Sequence, residues 1–317
     1  MKGIWLEERR ASLREDLPVP DVPPCEALVR VTCAGICSTD HGLIRGMYPF
    51  TGVLGHEFVG KVEAGPADLL GRNVVGVISA SCRECPTCLA GRTSHCPART
   101  VLGIERRNGV FAEYTTLPVA NLLVVPDSLP PEVAVFTEPL AAALEIPEQV
   151  HIRPTDRVLV VGPGKLGQLV ARVLRLMPCD LTVAARSAHS LARLPGDVAT
   201  STPEAVPSAA FDIVVECTGS AEGLALARRA VRPAGTLVLK STHGREASFD
   251  MTMAVVDEIR LIGSRCGPFA PALRMLGDRR IDPSDLVDAT FALDDGIEAL
   301  EVSRRPGVFK VLLRCDV

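Results

Sequence analysis

Val158-Leu159-Val160-Val161-Gly162-Pro163-Gly164-Lys165-Leu166-Gly167 carries an apolar run straight into a G-x-G-x-x-G loop. The spacing predicts a buried strand and then a helix over Gly167 to Leu176, with Leu166, Val170, Val173 and Leu174 at helical intervals. Each glycine has a separate physical task. Gly162 permits the tight turn, Gly164 lets the backbone approach a pyrophosphate, and Gly167 lets helix and strand pack closely. The helix N-terminus offers unsatisfied N–H groups to the phosphates. A glycine loop framed by strand and helix is far more specific than the bare motif.

Working outward, Leu181-Thr182-Val183-Ala184, Ile213-Val214-Val215 and Thr236-Leu237-Val238-Leu239 repeat the buried apolar run, with helical patterns between them. Such alternation indicates βαβ units and a parallel sheet over residues 125–268. In NAD-binding units an acidic residue about twenty positions past the loop takes the ribose 2′-hydroxyl. This chain reads Leu181-Thr182-Val183-Ala184-Ala185-Arg186-Ser187 instead. The Arg186 fork can pair with a 2′-phosphate and Ser187 can add a hydroxyl, which favours NADP over NAD. A solvated surface arginine is the alternative.

Residues 1–124 have a different texture. Short strands such as Ala27-Leu28-Val29-Arg30-Val31, Phe58-Val59-Gly60-Lys61-Val62 and Asn73-Val74-Val75-Gly76-Val77-Ile78 are separated by Gly and Pro turns. That spacing suggests an antiparallel, barrel-like unit. Residues 269–317 hold one helix pattern, Asp294 to Arg304, and a closing strand, Val308 to Leu313, which are expected to complete the first domain.

Composition narrows the function classes. At 317 residues the chain has room for about two domains of ~150 residues. With 47% hydrophobic and 23% charged residues, it is neither disordered nor collagen-like. The most apolar stretch, Val158 to Met177, is broken by Lys165, Gln168, Arg172 and Arg175, so no membrane span is expected. The N-terminus lacks an apolar signal core, and a net charge of −4 argues against a nucleic-acid partner. A soluble, cytoplasmic protein is the expectation.

Four of the eleven cysteines, Cys82, Cys85, Cys88 and Cys96, fall within one short loop. Clustered thiols in a reducing compartment point to metal, and four sulfurs favour tetrahedral Zn²⁺ in a closed structural site. An iron–sulfur centre is disfavoured because no second cysteine group supports one. His95 in place of Cys96 is disfavoured as well. Upstream, Cys33-Ala34-Gly35-Ile36-Cys37-Ser38-Thr39-Asp40-His41 precedes Gly55-His56-Glu57. Thiolate, imidazole and carboxylate are the ligand types of a catalytic zinc with one position open. Taken alone, such a pair is more often a core thiol and a hydrogen-bonded histidine.

Together these motifs resemble the zinc-dependent medium-chain dehydrogenases (alcohol, polyol, sugar and threonine dehydrogenases) over nearly the whole chain. The matching elements are Gly35-Ile36-Cys37-x-Thr39-Asp40, Gly55-His56-Glu57, the four-cysteine loop, Glu138-Pro139-Leu140, the glycine loop, Glu216-Cys217-Thr218-Gly219 and Gly235-Thr236-Leu237. The resemblance implies an α/β protein with a GroES-like β-barrel catalytic domain (1–124, completed by 269–317). A Rossmann domain with a doubly wound parallel sheet would occupy 125–268, and the active site would lie in the cleft.

Carried over by motif, Cys37 and His56 would bind catalytic zinc, with Glu138 as third protein ligand. Glu57 would be either an adjacent carboxylate or an exchanging ligand, and Thr39 the hydroxyl that relays the substrate proton. Gly162, Gly164, Lys165, Leu166, Gly167, Arg186, Ser187, Thr218 and Gly219 would contact the dinucleotide. Two zincs per chain, NADP in preference to NAD, and a homodimer or homotetramer complete the expectation. His41 is read either as extending the relay or as a surface histidine. Glu138, where the alcohol-dehydrogenase branch usually has cysteine, points toward polyols or sugars.

Nine Phe, two Tyr and one Trp leave few stacking platforms. Tyr48, Phe50 and Phe269 are candidate pocket residues, or else core. The expected activity is hydride transfer between NADP(H) and a secondary alcohol, polyol or sugar-like substrate. A catalytically silent NADPH-binding protein on the same fold is the competing reading. A zinc-free quinone or enone reductase conflicts with both metal motifs.

Overall fold

The computed structural model describes residues 1–242 and 247–315. The chain divides into two compact units, one comprising Met1–Glu138 with the described residues from Phe269 onward, the other Pro139–Pro268. The first boundary falls at Glu138, later than the expected break after residue 124. The intervening segment carries the short helix Pro131–Ala134, whose Ala134 is buried and which packs on the strands Glu26–Gly35 and Glu57–Ala64. It therefore shares the core of the first unit.

That unit is organised around the long strand Glu26–Gly35. Val29, Val31 and Cys33 are fully buried while Arg30 between them is exposed, the period-two alternation of a sheet with one covered face. The sheet runs Leu122–Val124, Asn73–Gly76, Glu57–Ala64, Glu26–Gly35, Lys310–Arg314, Val287–Ala292, and Tyr114–Pro118 also pairs with Glu26–Gly35. Register slips between Leu28 and Val29 and between Val31 and Cys33, so Gly35 ends opposite Glu57. Such irregularities bend a strand and re-aim its side chains. Val59, Val62, Leu117 and Leu312 close the core beneath it. Each fully buried Val or Leu contributes up to about 1.5–3 kcal/mol.

The C-terminal segment returns to this sheet. Its helix is Gly296–Ser303, preceded by a 3₁₀ turn at Leu293–Asp295, and its strand Lys310–Arg314 lies antiparallel to Glu26–Gly35.

The second unit holds a six-stranded sheet in the order Ala199–Ser201, Asp180–Ala184, Arg157–Val161, Phe211–Glu216, Val231–Leu239, Arg260–Gly263, with every pairing parallel. Sequence order reverses at Arg157–Val161, the doubly wound pattern whose switch point sits at the carboxyl end of that strand. Buried Leu159, Val214 and Leu237 pack with Leu224, Ala227 and Ala230 of the helix Ala221–Ala230. Among the described residues, no helix is long and apolar enough to cross a membrane.

Candidate metal centres and dinucleotide loop

The glycine loop sits at the switch point. Gly162 has φ +89°, and a Cβ there would lie 2.4 Å from Thr218 Cγ2. At Gly167 a Cβ would lie 2.1 Å from the Gly162 carbonyl oxygen, so only glycine lets the helix start so close to the strand. Around Gly164 there is open space. The helix runs Lys165–Leu174, starting two residues before the expected Gly167 and stopping short of Leu176. Gly164 is its N-cap with no side-chain cap, which leaves first-turn N–H groups for a ligand. Leu166 and Lys165 lie in that first turn.

The Gly162 N–H donates to Ala184 O at 3.0 Å, which seats the loop beside the end of the second strand. Arg186 is exposed two residues beyond that strand and has no ion pair among the described residues. Ser187 caps the helix Ala188–Ala192, its Oγ accepting from Ser190 N at 3.2 Å. At the next strand end, fully buried Glu216 gathers the following turn. Its Oε1 accepts from the N–H groups of Thr218 at 2.6 Å and Gly219 at 3.1 Å, and Gly219 has φ +65°.

In the first unit, the four sulfurs of Cys82, Cys85, Cys88 and Cys96 all lie within 4.8 Å of one another. The sulfurs of Cys82 and Cys88 are 3.9 Å apart, those of Cys85 and Cys96 3.8 Å, and those of Cys82 and Cys96 3.5 Å. A tetrahedron with Zn–S arms of about 2.3 Å has edges of about 3.8 Å, close to these three separations. The Cys82 N–H pulls the Cys96 thiol down to about 6, and the Cys88 N–H lowers Cys85, which favours the thiolates that bind metal. His95 is exposed and faces Ser94 Oγ at 3.3 Å, outside the group.

The second cluster brings Cys37, His56 and Glu57 within 4.8 Å. Cys37 is the N-cap of the helix Ser38–Ile44 and forms a capping box with Asp40: the Cys37 N–H donates to Asp40 Oδ2 at 2.8 Å. Thr39 is half-buried, its Oγ1 3.7 Å from Cys37 Sγ. His56 is buried, with Nδ1 3.4 Å from Asp40 Oδ1, and neither atom has a hydrogen bond of its own. Burial opposes charge on this imidazole, but Asp40 and then Cys37 outweigh it and hold its pKa well above 6.5. A carboxylate behind Nδ1 leaves Nε2 to face a metal, the histidine–carboxylate arrangement that orients metal-bound imidazoles. The donor set is thus one that zinc accepts.

Glu138 stands apart from that trio. It lies in the first turn of the helix Thr137–Gln149, half-buried, and near enough to add its charge to the surroundings of Lys310. Of the remaining expectations, His41 is not a surface residue. It is buried, its Nε2 2.8 Å from Ser303 Oγ, and it ties the helix Ser38–Ile44 to Gly296–Ser303. Phe269 is buried in the core, Phe50 is half-buried, and Tyr48 is exposed.

Two residues gain roles that sequence reading did not give them. Asp40 was visible three positions past Cys37, the spacing of a capping box. Lys310 stood in an apolar closing strand, where a buried ammonium requires a partner. Replacing Asp40 with Asn keeps the helix cap and removes the charge behind His56. We expect Asp40→Asn to weaken zinc binding at this cluster by about 10–100-fold and leave the four-cysteine zinc in place. Chelator competition measures both.

Comparison with known proteins follows the same division. The alcohol dehydrogenase GroES-like domain model matches residues 23–127. L-galactonate-5-dehydrogenase of Escherichia coli (strain K12) is 30% identical over 296 residues, 84% of this chain and 84% of that protein. A protein from Sinorhizobium meliloti 1021, described as a zinc-binding dehydrogenase and bound to NADP, superposes with a TM-score of 0.89 at 28% identity, covering 99% of this chain and 98% of that one. The cobalt- and zinc-bound thermostable alcohol dehydrogenase from Pyrobaculum aerophilum gives a TM-score of 0.86 at 27% identity, with 99% of each chain covered. With a relative of this identity over most of its length and the fold shared end to end, the chain is an enzyme that belongs to the zinc-dependent medium-chain dehydrogenase family.

Proposed function

We propose that the protein moves hydride between NADP(H) and a secondary alcohol, polyol or sugar-like substrate, or the corresponding carbonyl compound. The observation that carries this reading is the convergence of Cys37 with the buried side chains of His56 and Glu57 in the first unit. The glycine loop of the second unit supplies the dinucleotide end. The catalytic ligands are Cys37, His56 and Glu138, with Glu57 beside them. The Cys82, Cys85, Cys88 and Cys96 zinc is structural, having no vacancy for substrate.

Zinc in the first site would supply Lewis acidity, lowering the pKa of an alcohol oxygen so that hydride can pass to the nicotinamide. The chain's own residues do the rest. Asp40 stands 3.4 Å behind His56 Nδ1 and favours the ring orientation that turns Nε2 to the metal. Thr39 Oγ1 both donates and accepts, so it can take the substrate proton outward. Glu138 rather than cysteine gives an all-oxygen third ligand, as in the polyol branch, and the similarity to a galactonate dehydrogenase supports a hydroxylated substrate.

On the dinucleotide side, Gly162, Gly164, Lys165, Leu166 and Gly167 would cradle the pyrophosphate, and Thr218 and Gly219 the next segment. Arg186, exposed and without an ion pair among the described residues, would meet the 2′-phosphate beside Ser187. The NADP bound by the Sinorhizobium relative agrees with that preference.

A homodimer is the assembly this surface supports. The strand Arg260–Gly263 is an edge of the parallel sheet, and Leu261 on it is 48% exposed. In the helix Met251–Val256, which precedes that strand in sequence, Met251, Val255 and Val256 are 63%, 73% and 66% exposed. A bare apolar edge of this kind invites pairing with its own copy about a two-fold axis. Sedimentation should return twice the chain mass, and Val255→Glu should shift the protein toward monomer. A monomeric wild type would contradict the assembly.

The reading is tested by zinc per chain on protein purified without added metal. Two zincs falling to one in Cys37→Ser is the expected result. One zinc, unchanged by the substitution, would leave a silent NADPH-binding protein as the better account. Arg186→Ala should weaken NADPH about tenfold or more, as loss of a charge-assisted hydrogen bond does, with NADH affinity unchanged.

A further inference from the structure

Lys240 follows the apolar run Thr236-Leu237-Val238-Leu239 at the carboxyl end of the strand Val231–Leu239, and it is only 6% exposed. Its backbone N–H donates to Glu216 O at 3.0 Å, and Ser264 N donates to Leu239 O at 3.0 Å. The ends of three neighbouring strands are thus stitched together around it. Its Nζ donates to Ser264 Oγ at 3.0 Å and to Arg265 O at 2.8 Å. An ammonium held in this way cannot swing into solvent, and burying a charge is costly enough to need a reason.

Two carboxylates stand near this charge. Glu216 Oε1 accepts from the N–H groups of Thr218 and Gly219. Glu145 is half-buried on the helix Thr137–Gln149, where burial raises its carboxyl pKa and Lys240 draws it back down. The Cys217 thiol, raised by burial and by Glu216, is likewise drawn down by Lys240. The charge therefore reaches the turn over residues 217–219. A Cβ on Gly219 would lie 3.5 Å from Ser241 Cβ, so the chain leaving Lys240 passes against that same turn.

The sheet order decides which part of a dinucleotide meets the charge. Asp180–Ala184, with Arg186 and Ser187 beyond it, lies on one side of Arg157–Val161, and Phe211–Glu216 and Val231–Leu239 lie on the other. With the pyrophosphate at the glycine loop and the adenosine ribose toward Arg186, the nicotinamide half extends the opposite way, over the ends of those two strands. At about 4.8 Å per strand, the end of Val231–Leu239 stands about 10 Å from that of Arg157–Val161.

We propose that Lys240 sets which oxidation state of the nicotinamide is held more tightly: its fixed ammonium repels the cationic oxidised ring and leaves the neutral reduced ring undisturbed. The bound dinucleotide is thereby biased toward accepting hydride, which discharges the ring. The inference rests on the dinucleotide half of the preceding reading and adds to it a residue that discriminates between the two forms of the cofactor.

Calorimetric titration of the full chain with NADP⁺ and with NADPH reads this as a ratio of dissociation constants, with no turnover. Wild type is expected to bind NADPH more tightly. Two unit charges about 10 Å apart, at an effective dielectric near ~20, shift an equilibrium about tenfold. Lys240→Met should therefore lower the NADP⁺ to NADPH ratio about tenfold, and Lys240→Arg should keep the wild-type ratio. 2′,5′-ADP lacks the nicotinamide and should bind all three proteins alike.

Where Lys240→Met does not fold, Lys240→Gln removes the charge yet keeps amide donors for Ser264 and Arg265, and the same fall is expected. A ratio unchanged in the folded neutral variants would overturn the inference. So would equal weakening of NADP⁺ and NADPH, which is what a purely structural lysine would give. Wild type that binds NAD⁺ and NADH instead is tested by the same ratio on that pair, and wild type that binds neither pair would overturn the dinucleotide reading itself.

Discussion

The pairing of the strand Glu26–Gly35 with Glu57–Ala64 is the constraint on which the rest of the first unit depends. Its slipped register sets Gly35 opposite Glu57. Cys37 follows one end of that pairing and His56 precedes the other, so two residues far apart in sequence become neighbours at one sheet end. The strand Lys310–Arg314 then adds to the same central strand and brings Lys310 to the same place. A shift of one residue in any of these pairings would turn the alternate side chains to the opposite face and scatter the cluster.

The cluster is costly to bury. Asp40, His56, Glu57 and Lys310 are all nearly inaccessible, and unpaired charge in such surroundings is strongly destabilising. The structure meets part of that cost internally, through the Cys37–Asp40 capping box and the Lys310–Glu57 pair. His56 Nδ1 and Asp40 Oδ1 remain without hydrogen bonds. A cation on the other imidazole nitrogen would strengthen that contact by polarising the ring. The four-cysteine loop is a different solution: there the sulfur separations come close to those of a zinc tetrahedron, and backbone N–H groups ready two of the sulfurs.

Much of this was legible in the sequence because it is local. Val158 to Gly167 specifies strand, turn and helix by short-range rules, and the cysteine spacing of residues 82–96 is confined to one loop. The apolar runs at 181, 213 and 236 each became a strand of the parallel sheet. What escaped depends on tertiary pairing. Lys310 lies in an apolar strand 253 positions from Glu57, and no periodicity links them. His41 has the polarity of a surface residue, yet a helix from the far end of the chain covers it. The boundary at Glu138 was missed because a short helix belongs to the domain it packs against, not to the one whose texture it shares.

The central claim is that the first unit holds two distinct metal sites of different chemistry. Anomalous diffraction at the zinc edge, on crystals grown without added metal, locates every zinc directly. The account predicts two peaks per chain, one enclosed by Cys82, Cys85, Cys88 and Cys96, the other between Cys37 and His56. A single peak, at the four-cysteine loop alone, would contradict it.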